Sequence, residues 1–256
     1  MQPLFIEAQP ETTFFTAEQM AAVDLNNVPR HIAIVLDGNR RWANSNGETH
    51  VEGHQKGADI LLDILRSAKE LTIETVTVYG FSTENWGRPR EEVEAVLWLI
   101  EQYTIEQRPQ MLANGVKVTC IGDVSEFPDT LQKALEDTVE ATAHCTDIHF
   151  VMALNYGARK EICRAANCIA ENMRQGKIPE TAIDEKLLAS YLDTHDLPDL
   201  DLFIRPGGQL RMSNFLLWQA SYSELYFLDK MWPDFTPYDL YVAVLEYQKR
   251  IRRLGT

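Results

Sequence analysis

The chain has 256 residues, 45% of them hydrophobic, and a formal net charge of −14. This apolar content supports one large core or at most two small ones, and the negative excess argues against a nucleic-acid binder or a surface held to anionic lipid by a basic patch. An anionic ligand is still compatible with such a chain where its few cations are focused locally, so the positions of the arginines are informative.

Residues 1–27 carry no sustained period and read as a variable arm, within which TAEQMAAVDL (16–25) predicts one short helix. The opening MQPLFIEAQPETTFF lacks the positive region and long apolar core of a signal peptide, and no run reaches the roughly 18–20 apolar residues needed to span a bilayer. Beyond the arm, strand-like and helix-like stretches alternate. Strands are expected at 32–36, 75–81, 116–121, 148–154, 202–204 and 224–227. Helices are expected at 56–71, 90–113, 129–144, 158–175, 185–193 and 237–253. Such alternation implies right-handed crossovers and a mostly parallel sheet flanked by helices, an α/β fold. With no repeat or Pro/Gly-rich linker, 28–256 reads as a single domain. Cys120, Cys145, Cys163 and Cys168 form no CxxC pair and are expected as buried, reduced thiols, which fits a cytoplasmic chain.

The first strand runs HIAIVLDGNRRW, an apolar stretch that ends in Asp37, Gly38, Asn39, Arg40 and Arg41. In an open α/β sheet, ligands bind outside the C-terminal strand ends. A carboxylate there can hold a hard divalent cation, while arginines and exposed N–H groups take phosphate. A solvated turn is the plainer reading of that segment alone. The two helical stretches that follow, ADILLDILRSAKEL (58–71) and EEVEAVLWLI (91–100), are apolar on Ile60, Leu61, Ile64, Leu65, Ala68 and Leu71, and on Val93, Val96, Leu97, Trp98 and Ile100. They can pack on the sheet or wall a long apolar cavity.

Further strand ends repeat the polar pattern. The second strand runs into Ser82, Thr83, Glu84, Asn85, Trp86 and Arg88. The fifth runs into Arg205-Pro206-Gly207-Gly208-Gln209-Leu210-Arg211, and the sixth carries Glu224. Paired glycines let backbone approach a ligand closely, and arginines six apart converge if the loop curls. His54, in EGHQKG, is expected at a helix start with an anion contact in reach. There is no Walker A sequence, GxSxG elbow, HExxH site or GxGxxG fingerprint.

HIAIVLDGNRRWA, GH at 53–54, FSTENWGRP at 81–89, RPGGQLRMSNFLLWQ at 205–219 and SYSELYFLDKMWPDF at 221–235 resemble the cis-prenyltransferases, the bacterial undecaprenyl diphosphate synthases above all. The resemblance implies a six-stranded sheet, a hydrophobic tunnel between the sheet and two helices, a homodimer and a requirement for Mg²⁺. It implies sequential condensation of isopentenyl diphosphate onto an allylic diphosphate such as farnesyl diphosphate, with transient contact at a membrane surface when product leaves. By the same resemblance Asp37 is the essential carboxylate, and Gly38, Asn39, Arg40, Arg41 and Trp42 with His54 form the allylic diphosphate pocket. His50 stands where relatives carry a basic residue. Ser82, Thr83 and Glu84, then Asn85, Trp86 and Arg88, match the second substrate loop. Arg205, Arg211, Met212 and Ser213 match the isopentenyl diphosphate site, and Glu224 joins Asp37 on the metal side. Asn85 occupies the family's proton-acceptor position, but a carboxamide is a poor base. We expect it to orient substrate while a diphosphate oxygen or Asp37 takes the proton. Pro206 and Gln209 depart from the family's Thr and Glu, which predicts a shifted KM for isopentenyl diphosphate rather than lost activity.

Overall fold

The computed structural model describes residues 13–179 and 182–251. Its strands are β1 (His31–Val35), β2 (Thr75–Ser82), β3 (Val116–Ile121), β4 (Ile148–Tyr156), β5 (Leu202–Arg205) and β6 (Glu224–Phe227). They form one sheet of order β3-β4-β2-β1-β5-β6, and every neighbouring pair is parallel. The helices are α1 (Ala17–Ala21), α2 (Asn39–Asn46), α3 (His50–Asp59), α4 (Leu61–Glu70), α5 (Arg90–Ala113), α6 (Asp129–Thr142), α7 (Ala158–Arg174), α8 (Glu185–Ala189) and α9 (Pro237–Gln248).

Both faces of the sheet are covered, as an all-parallel sheet requires. On one face Ile32, Ile34, Val76, Val78, Phe150 and Met152 pack with α4, α5, α6 and α9. On the other, Ala33, Val35, Val151, Ala153 and Phe203 meet Ala158 of α7 and Phe215 and Leu216 of the loop after β5. In α4, Leu61, Ile64, Leu65 and Ala68 are buried at helical spacing, so that face packs inward.

Four sequence expectations are corrected. The segment after Asp37 is not a loop but α2, entered through Gly38 at φ 114°, a left-handed angle that favours glycine. The helix expected at 56–71 starts earlier and divides at Ile60. A capping box between Thr49 and Glu52 opens α3, which puts His54 inside a helix rather than at its start. Cys163 and Cys168 are exposed, because the buried stripe of α7 is Ala158, Glu161, Ala165 and Ile169. Cys145 is buried, and burial pushes the Cys120 thiol up to about 12. Trp98 is 54% exposed, off the buried stripe of α5 that Val93, Val96, Leu97 and Leu99 form. Within the arm, residues 1–12 lie outside the described residues. Phe15 is buried and packs on Tyr241 of α9 at 5.5 Å between ring centroids.

The loops leaving β1 and β5 go to opposite faces of the sheet. The first feeds α2 and α3, while the second lays Phe215 and Leu216 on the far side. A crevice at the C-terminal strand ends forms where neighbouring connections diverge in this way.

Candidate active site

Asp37 and Arg205 close that crevice. Arg205 Nη2 donates to Asp37 Oδ2 at 2.8 Å, and Nε donates to the same oxygen at 3.3 Å. The Arg205 side chain is buried, and its Nη1 also donates to the Arg211 carbonyl and to Ser213 Oγ. Asp37 Oδ1 accepts from Arg41 Nη2 at 3.1 Å, while Arg41 Nη1 donates to the Gly207 carbonyl at 2.6 Å. One carboxylate thus ties the loop after β1 to the loop after β5, two segments 168 residues apart. Gly207, at φ 92°, admits this approach: a Cβ there would lie 2.6 Å from Arg41 Nη2. Arg211, exposed, is held by Gln209 Oε1, a neutral acceptor where the family pattern has a carboxylate. Met212 is half-buried and packs on the core beneath this loop.

The helical segment after Gly38 supplies a second wall. Asn39 Nδ2 donates to the Leu36 carbonyl and, at 3.4 Å, to His54 Nδ1. That places the proton of His54 on Nε2, a buried atom without a partner, as is Asn39 Oδ1. Burial and then the Arg88 charge lower His54 to about 4, so the ring is neutral near pH 7 and offers an N–H donor rather than a cation. Glu92 lies between Arg88 at 3.1 Å and Arg40 at 3.7 Å and holds both at the mouth between α3 and α5. His50 faces Asn44 at 3.2 Å.

At the end of β2, Ser82 N–H donates to Asn85 Oδ1 at 3.0 Å. The amide oxygen is therefore engaged, and the group Asn85 can offer a ligand is its NH₂. Burial alone would raise the carboxyl of Glu84, but hydrogen bonds from Asn214 and its own loop outweigh it and hold the carboxyl below its ordinary value. Thr83 faces Gly157 across the crevice, where a Cβ would lie 2.7 Å from its Oγ1.

The crevice opens onto a cavity of about 620 Å³, which Arg40, Arg41, His50 and Thr83 do not line. Asp37, Asn39, His54, Ser82, Glu84, Asn85, Arg88, Arg205, Arg211 and Ser213 line its polar end. Its depth is apolar: Leu61 of α4, Val96, Leu99, Ile100 and Tyr103 of α5, and Val78, Phe150 and Met152 of the sheet. Most of the apolar face of α4 packs on the sheet instead, so α5 supplies the larger helical wall. The arrangement joins a mouth lined by arginines and carboxylates to an apolar chamber, the form that suits a ligand with an anionic head and a hydrocarbon tail.

Several candidate residues do not converge on it. Trp42 turns its indole N–H to Asp234 at 2.8 Å, and Trp86 donates to Asn155 at 2.9 Å while packing on Phe81 and Phe127. Glu224 begins β6 in register with Leu202, at the opposite end of the strands from Arg205, and accepts from Arg250 at 2.8 Å. A metal pair of Asp37 and Glu224 is therefore not assembled within one chain, because parallel strands put their first and last residues at opposite edges. Among the described residues no three His, Cys, Asp or Glu side chains cluster as a metal-binding group. Asn214 and Glu92 were not singled out from the sequence. The asparagine beside Ser213 in a glycine-containing loop was the available signal, since asparagine is enriched at left-handed positions.

Comparison with known proteins agrees with this geometry. The family model described as "Putative undecaprenyl diphosphate synthase" matches residues 35–255. The chain is 43% identical over 235 residues to an isoprenyl transferase of Chlamydia pneumoniae, covering 90% of this chain and 94% of that one. It is 44% identical over 235 residues to an isoprenyl transferase of Streptococcus thermophilus, with the same coverage. Among solved structures, lavandulyl diphosphate synthase from Lavandula x intermedia, in complex with dimethylallyl diphosphate, superposes with a TM-score of 0.88 at 34% identity. That alignment covers 90% of this chain and all of that one. A structure described as a probable undecaprenyl diphosphate synthase from Campylobacter jejuni gives a TM-score of 0.74 at 32% identity, with the same coverage.

Proposed function

This chain belongs to the cis-prenyltransferase family of isoprenyl transferases, and from that premise we propose that it lengthens an allylic diphosphate by repeated condensation with isopentenyl diphosphate. Farnesyl diphosphate is the proposed primer and undecaprenyl diphosphate the product, a lipid-carrier precursor for cell-wall synthesis, made by a homodimer in the cytoplasm that touches a membrane surface when product leaves. The carrying observation is the cluster of Asp37, Arg205 and Arg211 at the polar mouth of a cavity whose depth is apolar.

In this reading the allylic diphosphate lies along α2, where Arg41 and the Nε2–H of His54 face it, and isopentenyl diphosphate lies against Arg205, Arg211 and Ser213. Guanidinium groups offset the charge that grows on the diphosphate as the allylic C–O bond breaks, and their fork geometry fixes both substrates in line. Asn85, whose amide oxygen is engaged by Ser82 N–H, orients substrate, and the proton released after C–C bond formation passes to a diphosphate oxygen or Asp37. The oxygen donors at the mouth fit Mg²⁺, which is commonly held by one or two carboxylates together with substrate phosphates. Asp37 would hold it, and when bound it would add charge neutralisation at the leaving diphosphate. The growing chain enters the apolar depth, where each buried CH₂ contributes about 0.8 kcal/mol.

Incubating the purified chain with farnesyl diphosphate, labelled isopentenyl diphosphate and Mg²⁺, and sizing the products by mass spectrometry, tests this. A ladder of C5 additions that Asp37→Ala abolishes is expected. Phosphate release without extension would overturn the reading in favour of a phosphohydrolase.

A further inference from the structure

Asn214 joins three segments that the strand ends bring together. Its Nδ2 donates to Glu84 Oε1 at 2.8 Å, in the loop after β2. Its Oδ1 accepts from Arg159 N–H at 2.9 Å, and its carbonyl accepts from Ala158 N–H at 2.8 Å, both in the first turn of α7. It sits in the loop after β5, next to Ser213, whose Oγ accepts from Arg205. The chain takes left-handed angles at Ser213 (51°), Asn214 (62°) and Leu216 (48°). Such angles cost a non-glycine residue energy and persist only where surrounding contacts impose them. Gly157 completes the fit, since a Cβ there would lie 2.8 Å from Asn214 Nδ2.

We propose that Asn214 is a positioning residue, which clamps the loop carrying Ser213 and Arg211 against the loop carrying Glu84 and Asn85 and so sets the isopentenyl diphosphate in register with the allylic end. The inference rests on the elongation reading above. The clamp has a direction: Asn214 must donate to one carboxylate and accept from one backbone N–H, a combination that neither aspartate nor alanine supplies. None of Asn214's own bonds reaches α2 or α3, which build the allylic side.

Two-substrate steady-state kinetics test it. Asn214→Ala and Asn214→Gly should each raise the isopentenyl diphosphate KM and lower kcat/KM by about tenfold, the equivalent of losing one to two ordinary hydrogen bonds, with the farnesyl diphosphate KM unchanged. Glycine accepts the left-handed angle, so an equal loss in the glycine variant assigns the effect to the side chain rather than to backbone strain. Asn214→Asp should be worse than alanine, because two carboxylates then face each other. Adding Glu84→Gln should recover Asn214→Asp toward the Glu84→Gln rate, since the new amide donates to the new carboxylate. Unaltered kinetics in Asn214→Ala, equal shifts in both KM values, or no recovery in the double variant would overturn the proposal. If the wild type makes no prenyl product, the elongation reading fails, but the clamp is still read directly. Asn214→Ala should then speed amide exchange at Arg159 and raise the Glu84 pKa, and no change in either would overturn it.

Discussion

Replacing Asp37 with alanine strips a buried guanidinium, Arg205, of its carboxylate and leaves Arg41 and Arg211 beside it. Breaking a buried pair in this way costs about 3 kcal/mol, so the melting temperature should fall by roughly 6–12 °C, while Asp37→Asn, which keeps an acceptor, should lose less. Inorganic diphosphate should then raise the melting temperature of Asp37→Ala more than that of the wild type; an equal rise would mean the arginines do not form one anion site. Histidines set a second expectation. Burial lowers His31, His54 and His149, the last two to about 4, below the unfolded value near 6.5. Between those values the unfolded chain binds protons that the folded chain refuses, so stability falls as pH drops from about 6.5 toward 4. Urea titrations across that window should show His54→Gln reducing the slope by up to about 1.4 kcal/mol per pH unit. The acid, glycine and arginines at the strand ends were legible because short apolar runs stop there. The partnership of Asn214 with Glu84 was not, since it joins residues 130 apart and depends on how two loops curl.

The pair α2 and α3 shows why element boundaries were harder to read than element types. The segment NRRWANSN of α2 offers almost no apolar period, so only its left-handed glycine entry and its packing make it a helix. Residues 50–55 of α3 fall outside the expected helix for the same reason: the inward positions of α3 are Gly53 and Gly57, which carry no hydrophobic signal. Both glycines are there for contact. A Cβ on Gly53 would lie 2.4 Å from the Asn39 carbonyl oxygen, and one on Gly57 would lie 2.5 Å from Asn39 Oδ1 and 2.8 Å from Trp232. Gly53→Ala should therefore push α3 off α2, costing about 1–3 kcal/mol and raising the KM for farnesyl diphosphate more than that for isopentenyl diphosphate. Equal KM values in wild type and variant would show that the α2–α3 contact does not place the allylic wall. The start of the long α5, by contrast, is legible from Pro89 and the apolar positions Val93, Val96 and Leu97 that follow it.

At the scale of the molecule, the proposed elongation makes the cavity between sheet and α5 the expected limit on product length. Gly80 lines this cavity, and a Cβ there would meet the flexible end of Leu154 at 3.0 Å and the Ala153 carbonyl oxygen at an ordinary contact distance of 3.6 Å, so Gly80→Leu can fill space in the cavity. Its products should be shorter than those of the wild type. Tyr103→Ala should lengthen them by removing a ring from the apolar depth, where the hydroxyl has no partner; unchanged ladders in both variants would mean that chain length is set elsewhere. The alternating pattern and the apolar strands made the parallel sheet readable, but not the volume left between its layers, which depends on side-chain packing. The union of Asp37 with Arg205 has a consequence for how the chain is born. The β5 side of β1 stays open while β2 and β4 assemble on the other, and its partner emerges from the ribosome 168 residues later, roughly 10–30 s at ordinary synthesis rates. For that interval a nascent chain carries an unpaired central strand edge, so truncation before Leu202 should yield aggregates, and the Asp37–Arg205 pair forms only once that edge can be covered.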